Sequence, residues 1–177
     1  MNFLSRHNIG FVVVDRLAER AGTACRDKKF KARLGRGRLG QEDVVFLQPQ
    51  TFMNLSGESV GPALGFYKLG TDRLVVVHDE LELDFGEVKT KLGGGHGGHN
   101  GLRSLKKHLP DDRFSRVRVG IGRPPPRWDP ADYVLSRFDA SERGQLDDVV
   151  DRAVVAVETL IEQGPQPAPK QAAARGR

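Results

Sequence analysis

Apolar residues recur along the chain at two spacings, which together predict helices alternating with short strands. Where they recur every three to four residues, they form the single apolar stripe of an amphipathic helix. This spacing predicts four helices, over residues 11–21, from about 56 to 67, over 100–109 and from about 139 to 163. The last is the clearest, because Asp139 and Glu142 suit its start and Gly164 suits its end.

Strand patterns lie between these helices. Residues 30–38 and 43–48 form a predicted strand pair around a turn, and residues 87–92 and 115–121 alternate between polar and apolar. The run from Leu74 to Val77 has no polar face, which is typical of a strand buried on both sides. Strands alternating with helices predict an α/β protein, a three-layer α/β/α sandwich with a twisted mixed sheet. No interior linker or repeat interrupts residues 1–163, so we expect a single domain there.

The charge of the chain is unevenly distributed. Its 177 residues carry 28 Lys and Arg against 23 Asp and Glu, a formal net charge of +5. Residues 164–177 hold three of those cations, three prolines and no acid, so we expect a disordered basic tail. The other residues carry a net charge of only +2. This argues against binding of nucleic acid over the whole surface but allows a local basic site.

The predicted cellular setting is the cytoplasm. A single cysteine, Cys25, excludes an internal disulfide framework and suits a reducing compartment. No apolar run approaches the roughly 20 residues that a membrane span needs. The first residues also lack the apolar core of a signal peptide.

The most unusual segment is glycine-rich and covers residues 93–101. Five glycines in six positions are costly in backbone entropy, which indicates positive φ angles or the close approach of another group. One interpretation is a dinucleotide-binding G-x-G-x-x-G at Gly93, although no acidic residue ends the following strand to bind a ribose. A second is a metal site in which His96 and His99 join His78 or Asp79. A third is an open loop that holds the end of a polymer through His99 and Asn100, and a fourth is a turn without a ligand.

His7 and Asp79 are the candidate acid–base pair. A histidine titrates near neutrality, and a neighbouring carboxylate would fix its tautomer and stabilise its protonated form. Asp79 ends the buried strand, where open α/β sheets place their ligand crevices. The plainer alternatives are an exposed cap residue for His7 and a strand-end hydrogen bond for Asp79.

Two further groups of residues suit a nucleic acid. Phe52 could stack on a base and Asn54 could bind a carbonyl, although core packing and helix capping are the alternatives. Basic residues also share one face on each of two predicted strands. They could hold phosphate or form an ordinary solvated face, and they are Lys89, Lys91, Arg116 and Arg118.

Five segments together resemble the bacterial-type peptidyl-tRNA hydrolase family. They appear in family order, and the resemblance as a whole covers residue 5 to about residue 163. Each is modestly specific alone, and the set is strongly specific. The segments are residues 6–10 (RHNIG), 51–57 (TFMNLSG), 78–81 (HDEL), 93–102 (GGGHGGHNGL) and 116–122 (RVRVGIG).

The resemblance implies hydrolysis of the ester that joins a peptide to the 3′ ribose of tRNA. It makes His7 the general base that activates water and Asp79 the group that holds it in its basic form. It implies no metal, no cofactor, no obligate protein partner and a monomer bound to the acceptor stem and CCA end of peptidyl-tRNA. The implied substrate contacts are Asn54 and Asn100 at the peptidyl–ribose end, Phe52 at the terminal nucleotide, His99 in the same crevice, and Lys91 with Arg118 on an acceptor-stem phosphate.

The chain departs from the family pattern before His7. Family members have a β-strand, a Gly-Asn-Pro-Gly turn and a tyrosine there, and the six preceding residues match none of them. We therefore expect the sandwich to lack the family's first strand and to leave backbone edges open. Either the natural start lies upstream of Met1, or this is a shortened copy with impaired activity. The alternative function is an RNA-binding relative that keeps the fold without catalysis.

Overall fold

The computed structural model describes residues 5–164. Its five helices are α1 (Ile9–Arg20), α2 (Gly57–Tyr67), α3 (Asn100–His108), α4 (Pro130–Leu135) and α5 (Ala140–Gln163). Its six strands are β1 (Asp27–Lys29), β2 (Ala32–Leu39), β3 (Glu42–Pro49), β4 (Val75–Glu80), β5 (Val88–Leu92) and β6 (Ser115–Gly120). All the helices and strands expected from the spacing of apolar residues are present, with bounds shifted by a few residues.

The strands form two three-stranded sheets. One is antiparallel in the order β1-β2-β3. The other has the order β4-β6-β5, in which β4 is parallel and β5 antiparallel to β6. The mixed α/β class is therefore confirmed. The strands do not form one continuous sheet, because no strand within residues 5–164 joins β3 to β4.

Helices cover both faces of strand β4. Val75 and Val77 contact the apolar cluster that contains the buried faces of α1 and α5. Leu74 and Val76 contact a second cluster, which includes residues of α2 and α3. This alternation confirms that the strand is packed on both faces, although its apolar residues are only half-buried, and it accounts for the helix–sheet–helix layering.

A cleft of about 950 Å³ separates the two sheets. Consecutive residues of β3 and of β4 line it, so the edges of these strands face the cleft. Within the described residues β3 pairs only with β2, and β4 pairs only with β6. No helix of the described part is long and apolar enough to cross a membrane.

Two elements were not expected from the sequence. Residues 30 and 31, predicted to begin a strand, instead form the turn between β1 and β2, with φ angles of 57° at Phe30 and 55° at Lys31. Two-residue hairpin turns of this kind usually carry Gly or Asn, so Phe-Lys gave no turn signal. Helix α4, capped by the Asp129 side chain, is too short to show a periodic pattern. The single domain stays a prediction, and the tail from residue 165 onward lies outside the described residues.

Candidate active site

Two histidines hold one buried carboxylate in the lining of the cleft. Nδ1 of His7 lies 2.7 Å from Oδ2 of Asp79. Nε2 of His99 lies 2.7 Å from Oδ1 of the same carboxylate. The structure therefore brings together the predicted base, its predicted partner and one predicted substrate residue from three separate segments of the chain.

The surroundings of His99 fix which nitrogen carries its proton. Its Nδ1 accepts hydrogen bonds from the backbone N–H groups of Gly101 and Leu102 at the start of α3. Nε2 must therefore carry the hydrogen that it donates to Asp79. An ionised Asp79 only accepts, so His7 also donates from Nδ1, and its Nε2 keeps a free lone pair. That lone pair can take a proton from water.

The carboxyl group of Asp79 stays ionised although it is buried. Burial opposes its charge, but hydrogen bonds from His7 and His99 outweigh that effect and hold its pKa well below the usual range. A negative charge beside His7 fixes the ring orientation and would stabilise an imidazolium at that position.

Arg6 anchors the backbone that carries His7. Its guanidinium is buried, donates to Glu142 at 2.7 Å and to Ser136 Oγ at 3.1 Å, and lies 4.4 Å from the centre of the Tyr133 ring. Glu142 also closes the capping box of α5, so one carboxylate joins the start of this helix to the segment that carries His7. Sequence reasoning missed this role, since nothing local to Arg6 indicates a partner so far along the chain.

A second buried pair supports Asp79 from behind. Nε of Arg116 donates to Nε2 of His78 at 3.1 Å, and Nδ1 of His78 donates to the backbone oxygen of Asp79 at 2.8 Å. Arg116 also donates to the carbonyl oxygens of Gly93 and Gly95, which ties the glycine-rich loop to the sheet. The expectation that Arg116 would be displayed with the other basic residues was wrong, because this network buries it.

Stability should depend on pH through His78. Burial first, and then the charges of His99 and Arg116, lower its pKa from 6.5 to about 3. Between these values the unfolded chain binds a proton that the folded protein excludes, so stability falls as the pH decreases. From pH 7 to pH 5 we expect His78 alone to account for a loss of about 2 kcal/mol in the free energy of unfolding.

Urea unfolding at the two pH values measures this loss. His78→Gln should reduce the difference between pH 7 and pH 5, whereas His108→Gln, which replaces an exposed histidine, should not. The lowered pKa of Asp79 affects the free energy of unfolding only at more acidic pH. The ionised carboxyl group stabilises the fold until the pH falls into the range in which an ordinary carboxyl group titrates. An equal pH dependence in His78→Gln and the parent would contradict the assignment.

Of the predicted substrate residues, Phe52 and His99 line the cleft, whereas Asn54 and Asn100 lie beside lining residues on the same segments. Phe52 is 80% exposed and lines the same cleft as His7 and Asp79. Asn54 lies in a short 3-10 turn, and Asn100 is the first residue of α3; both are exposed. These two segments meet closely, because a Cβ atom on Gly101 would lie 2.8 Å from Sδ of Met53.

The predicted phosphate-binding residues lie on neighbouring strands. Lys91 is opposite Arg116, and Arg118 is opposite Lys89, so all four side chains share one face of the sheet. Lys91 is exposed, while Nε of Arg118 donates to Glu80 at 3.2 Å. Arg118 is therefore held in place by a carboxylate and remains partly accessible.

The geometry weakens the other interpretations of the glycine-rich loop. His7, Asp79 and His99 place potential ligand atoms within 4.8 Å of one another, but His99 offers no lone pair to a cation. His96 instead accepts a hydrogen bond from Gly98. A dinucleotide would place its pyrophosphate at the start of α3, where the His99 side chain already caps the helix.

A histidine held by a carboxylate in a cleft of an α/β scaffold is an arrangement that many hydrolases use. The family model for peptidyl-tRNA hydrolase matches residues 3–176. The chain belongs to the peptidyl-tRNA hydrolase family.

Individual relatives agree with this assignment. The peptidyl-tRNA hydrolase of Anaeromyxobacter sp. (strain K) is 55% identical over 173 residues, covering 98% of this chain and 90% of that protein. The enzyme of Mycolicibacterium smegmatis is 50% identical over 165 residues, covering 93% and 86%. A crystal structure of peptidyl-tRNA hydrolase from Acinetobacter baumannii superimposes with a TM-score of 0.83 at 40% identity, covering 89% of this chain and 81% of that one.

Proposed function

We propose that this chain hydrolyses the ester bond between the peptide and the 3′ ribose of peptidyl-tRNA. The observation that carries the proposal is the hydrogen bond from Nδ1 of His7 to Asp79, which leaves Nε2 free on a residue that lines the cleft. Membership of the peptidyl-tRNA hydrolase family supplies the substrate class.

The reaction follows from the placement of this lone pair. Nε2 of His7 removes a proton from a water molecule, whose oxygen attacks the carbonyl carbon of the ester. When the tetrahedral intermediate collapses, the bond from carbon to the ribose oxygen breaks. The imidazolium of His7 then returns its proton to that oxygen, and Asp79 stabilises the positive ring in the interval.

The neighbouring polar residues supply orientation. The side-chain amides of Asn54 and Asn100 bind the peptidyl–ribose end, and an amide donor stabilises the negative charge that develops on the carbonyl oxygen. Phe52 contacts the terminal nucleotide with its exposed ring, and His99 lines the crevice while holding Asp79. This chemistry acts on an activated ester and requires neither a metal nor a cofactor.

We further propose a monomer that acts in the cytoplasm on the acceptor stem and CCA end of peptidyl-tRNA. An RNA-binding protein without catalysis is the alternative. The presence of both His7 and Asp79 in hydrogen-bonding contact favours the enzyme, since RNA binding alone would not need this pair.

Lys91 and Arg118 together bind an acceptor-stem phosphate in this proposal. Arg118→Ala should weaken tRNA binding and make the dependence of log affinity on log salt concentration less steep by about 1. The slope is measured by titrating the protein with deacylated tRNA at a series of salt concentrations from about 50 to about 200 mM. Lys107→Ala removes an exposed charge of the same sign elsewhere and should leave the slope as in the parent. An unaltered slope in Arg118→Ala would exclude this contact.

Release of N-acetyl-amino acid from N-acetyl-aminoacyl-tRNA tests the function itself. We expect catalytic release that leaves the tRNA intact with a free 3′ hydroxyl. Binding of the substrate without release would favour the RNA-binding alternative instead.

A further inference from the structure

The positive charge of the folded part is concentrated in one hairpin. Residues 26–38, which include β1 and β2 and which we call the basic hairpin, carry seven Lys and Arg and one Asp. All other residues up to 164 carry 18 Lys and Arg against 22 Asp and Glu. The hairpin is therefore strongly basic and the rest of the body acidic, a difference that the modest net charge conceals.

The hairpin places like charges against each other. Lys28 lies directly opposite Arg33 in the β1–β2 register, an arrangement that destabilises a strand pair. Of the seven cations, only Lys31 and Arg38 form ion pairs among the described residues. An external anion would relieve the remaining repulsion.

Aromatic rings hold two of these cations in position. Nζ of Lys29 lies 3.5 Å from the centre of the Phe66 ring, and Cζ of Arg36 lies 5.8 Å from that of Tyr67. Phe30 contacts both rings at centroid distances of 5.5 and 6.1 Å. Cation–π contacts of this kind restrain long basic side chains while leaving their charge available.

The tip of the hairpin is strained and lies beside the active-site cleft. Phe30 and Lys31 both have positive φ angles, a conformation that costs about 1 kcal/mol or more for residues other than glycine. The backbone oxygen of Lys31 accepts a hydrogen bond from the N–H of Gln50 at 2.8 Å. Gln50, Phe52 and Tyr67 all line the cleft that contains His7. The tip of the basic hairpin therefore lies next to residues that line the cleft.

We propose that the basic hairpin binds the phosphodiester backbone of the substrate tRNA at a position outside its CCA end. The inference rests on the proposed function, which supplies a polyanionic substrate that extends well beyond the reacting ester. Contacts of cations with phosphate position a nucleic acid without reading its sequence, as an enzyme acting on many tRNAs requires. This contact is separate from the one proposed for Lys91 and Arg118 on β5 and β6.

Charge removal from the hairpin tests the proposal. The variant Lys28→Gln/Arg33→Gln/Arg36→Gln removes three exposed cations, and Arg20→Gln/Lys107→Gln/Arg152→Gln removes the same charge from helices α1, α3 and α5. Hydrolysis by both variants is measured on N-acetyl-aminoacyl-tRNA and on the same N-acetyl-amino acid attached to a CCA trinucleotide. Their affinity for deacylated tRNA is measured separately at a series of salt concentrations.

We expect the hairpin variant to lose about tenfold or more in kcat/KM on the complete tRNA through a higher KM, with kcat little changed. The slope of log affinity against log salt concentration should become less steep by about 2 to 3. Hydrolysis of the trinucleotide substrate should be unchanged, and the matched helix variant should behave as the parent does on both substrates.

Several results would overturn the proposal. These are unchanged tRNA binding by the hairpin variant, an equal loss in the helix variant, or an equal loss on the trinucleotide substrate. Loss of binding to phosphatidylglycerol vesicles with unchanged tRNA binding would assign the hairpin to a membrane surface instead. Failure of the parent to release any amino acid would reject the proposed function, whereas the salt dependence of tRNA binding would still report on the hairpin.

Discussion

His7→Ala should reduce kcat on N-acetyl-aminoacyl-tRNA by about 10²–10⁴-fold or more while leaving tRNA affinity close to that of the parent. Among the described residues that line the cleft, the substitution removes the one nitrogen lone pair that is both free and oriented by a carboxylate. The substrate contacts proposed for the other residues do not involve the imidazole, so binding is preserved. Single-turnover hydrolysis together with tRNA titration separates the two quantities.

His96→Ala is the matched control for this experiment. It removes a histidine of the glycine-rich loop whose Nδ1 only accepts a hydrogen bond from Gly98. We expect hydrolysis within a few-fold of the parent. If His7→Ala retained full turnover, His7 would have no part in the mechanism.

Asp79→Asn should lower kcat by a similar factor of about 10²–10⁴ although it preserves the shape of the side chain. The carboxylate accepts from both His7 and His99, one at each oxygen. An asparagine can accept at only one side and presents N–H donors at the other. Because the backbone around His99 already fixes its tautomer, His7 must reverse its own, and its Nε2 then carries a hydrogen instead of a lone pair.

Nitrogen-15 NMR of the imidazole groups detects this change of tautomer directly, and kcat reports its consequence. Asp84→Asn, at an exposed carboxylate, is the control and should change neither. Combined with His7→Ala, Asp79→Asn should cause little further loss, because the two residues act as one unit. Independent, multiplicative losses in the double variant would contradict the pairing.

The periodicity of apolar residues was sufficient for the main elements of the fold. Strand β4 was recognisable because a short apolar run without a polar face is typical of a buried strand. Helix α5 was recognisable because its apolar stripe is long and its capping residues are present. The short elements β1 and α4 lacked such signals. Phe30 and Lys31 adopt turn angles that their residue types disfavour, so tertiary contacts with Phe66 and Tyr67 override local preference there.

The site was recognisable mainly from the resemblance of its segments to a family. Residue types alone left His7 and Asp79 with ordinary structural alternatives, since chain order cannot show that two residues meet. The structure adds contacts that lie outside any local pattern, namely the hydrogen bond from His99 to Asp79 and the burial of Arg116 against His78. Both join segments that are distant along the chain.

Net charge was a poor guide to the basic surfaces. The acidic residues that offset the basic hairpin in the total are distributed over the rest of the body, so their sum says little about local potential. A window of about a dozen residues would have revealed residues 26–38 from the sequence. The net charge of the whole chain could not reveal this segment, because it adds the charges of surfaces that face different partners.

Hydrolysis in water enriched with oxygen-18 tests the central claim most directly. If His7 activates water to attack the ester carbonyl, the released N-acetyl-amino acid carries the heavy oxygen in its carboxylate, and the 3′ hydroxyl of the tRNA carries none. Heavy oxygen at the tRNA end, or no release at all by the folded protein, would contradict the account.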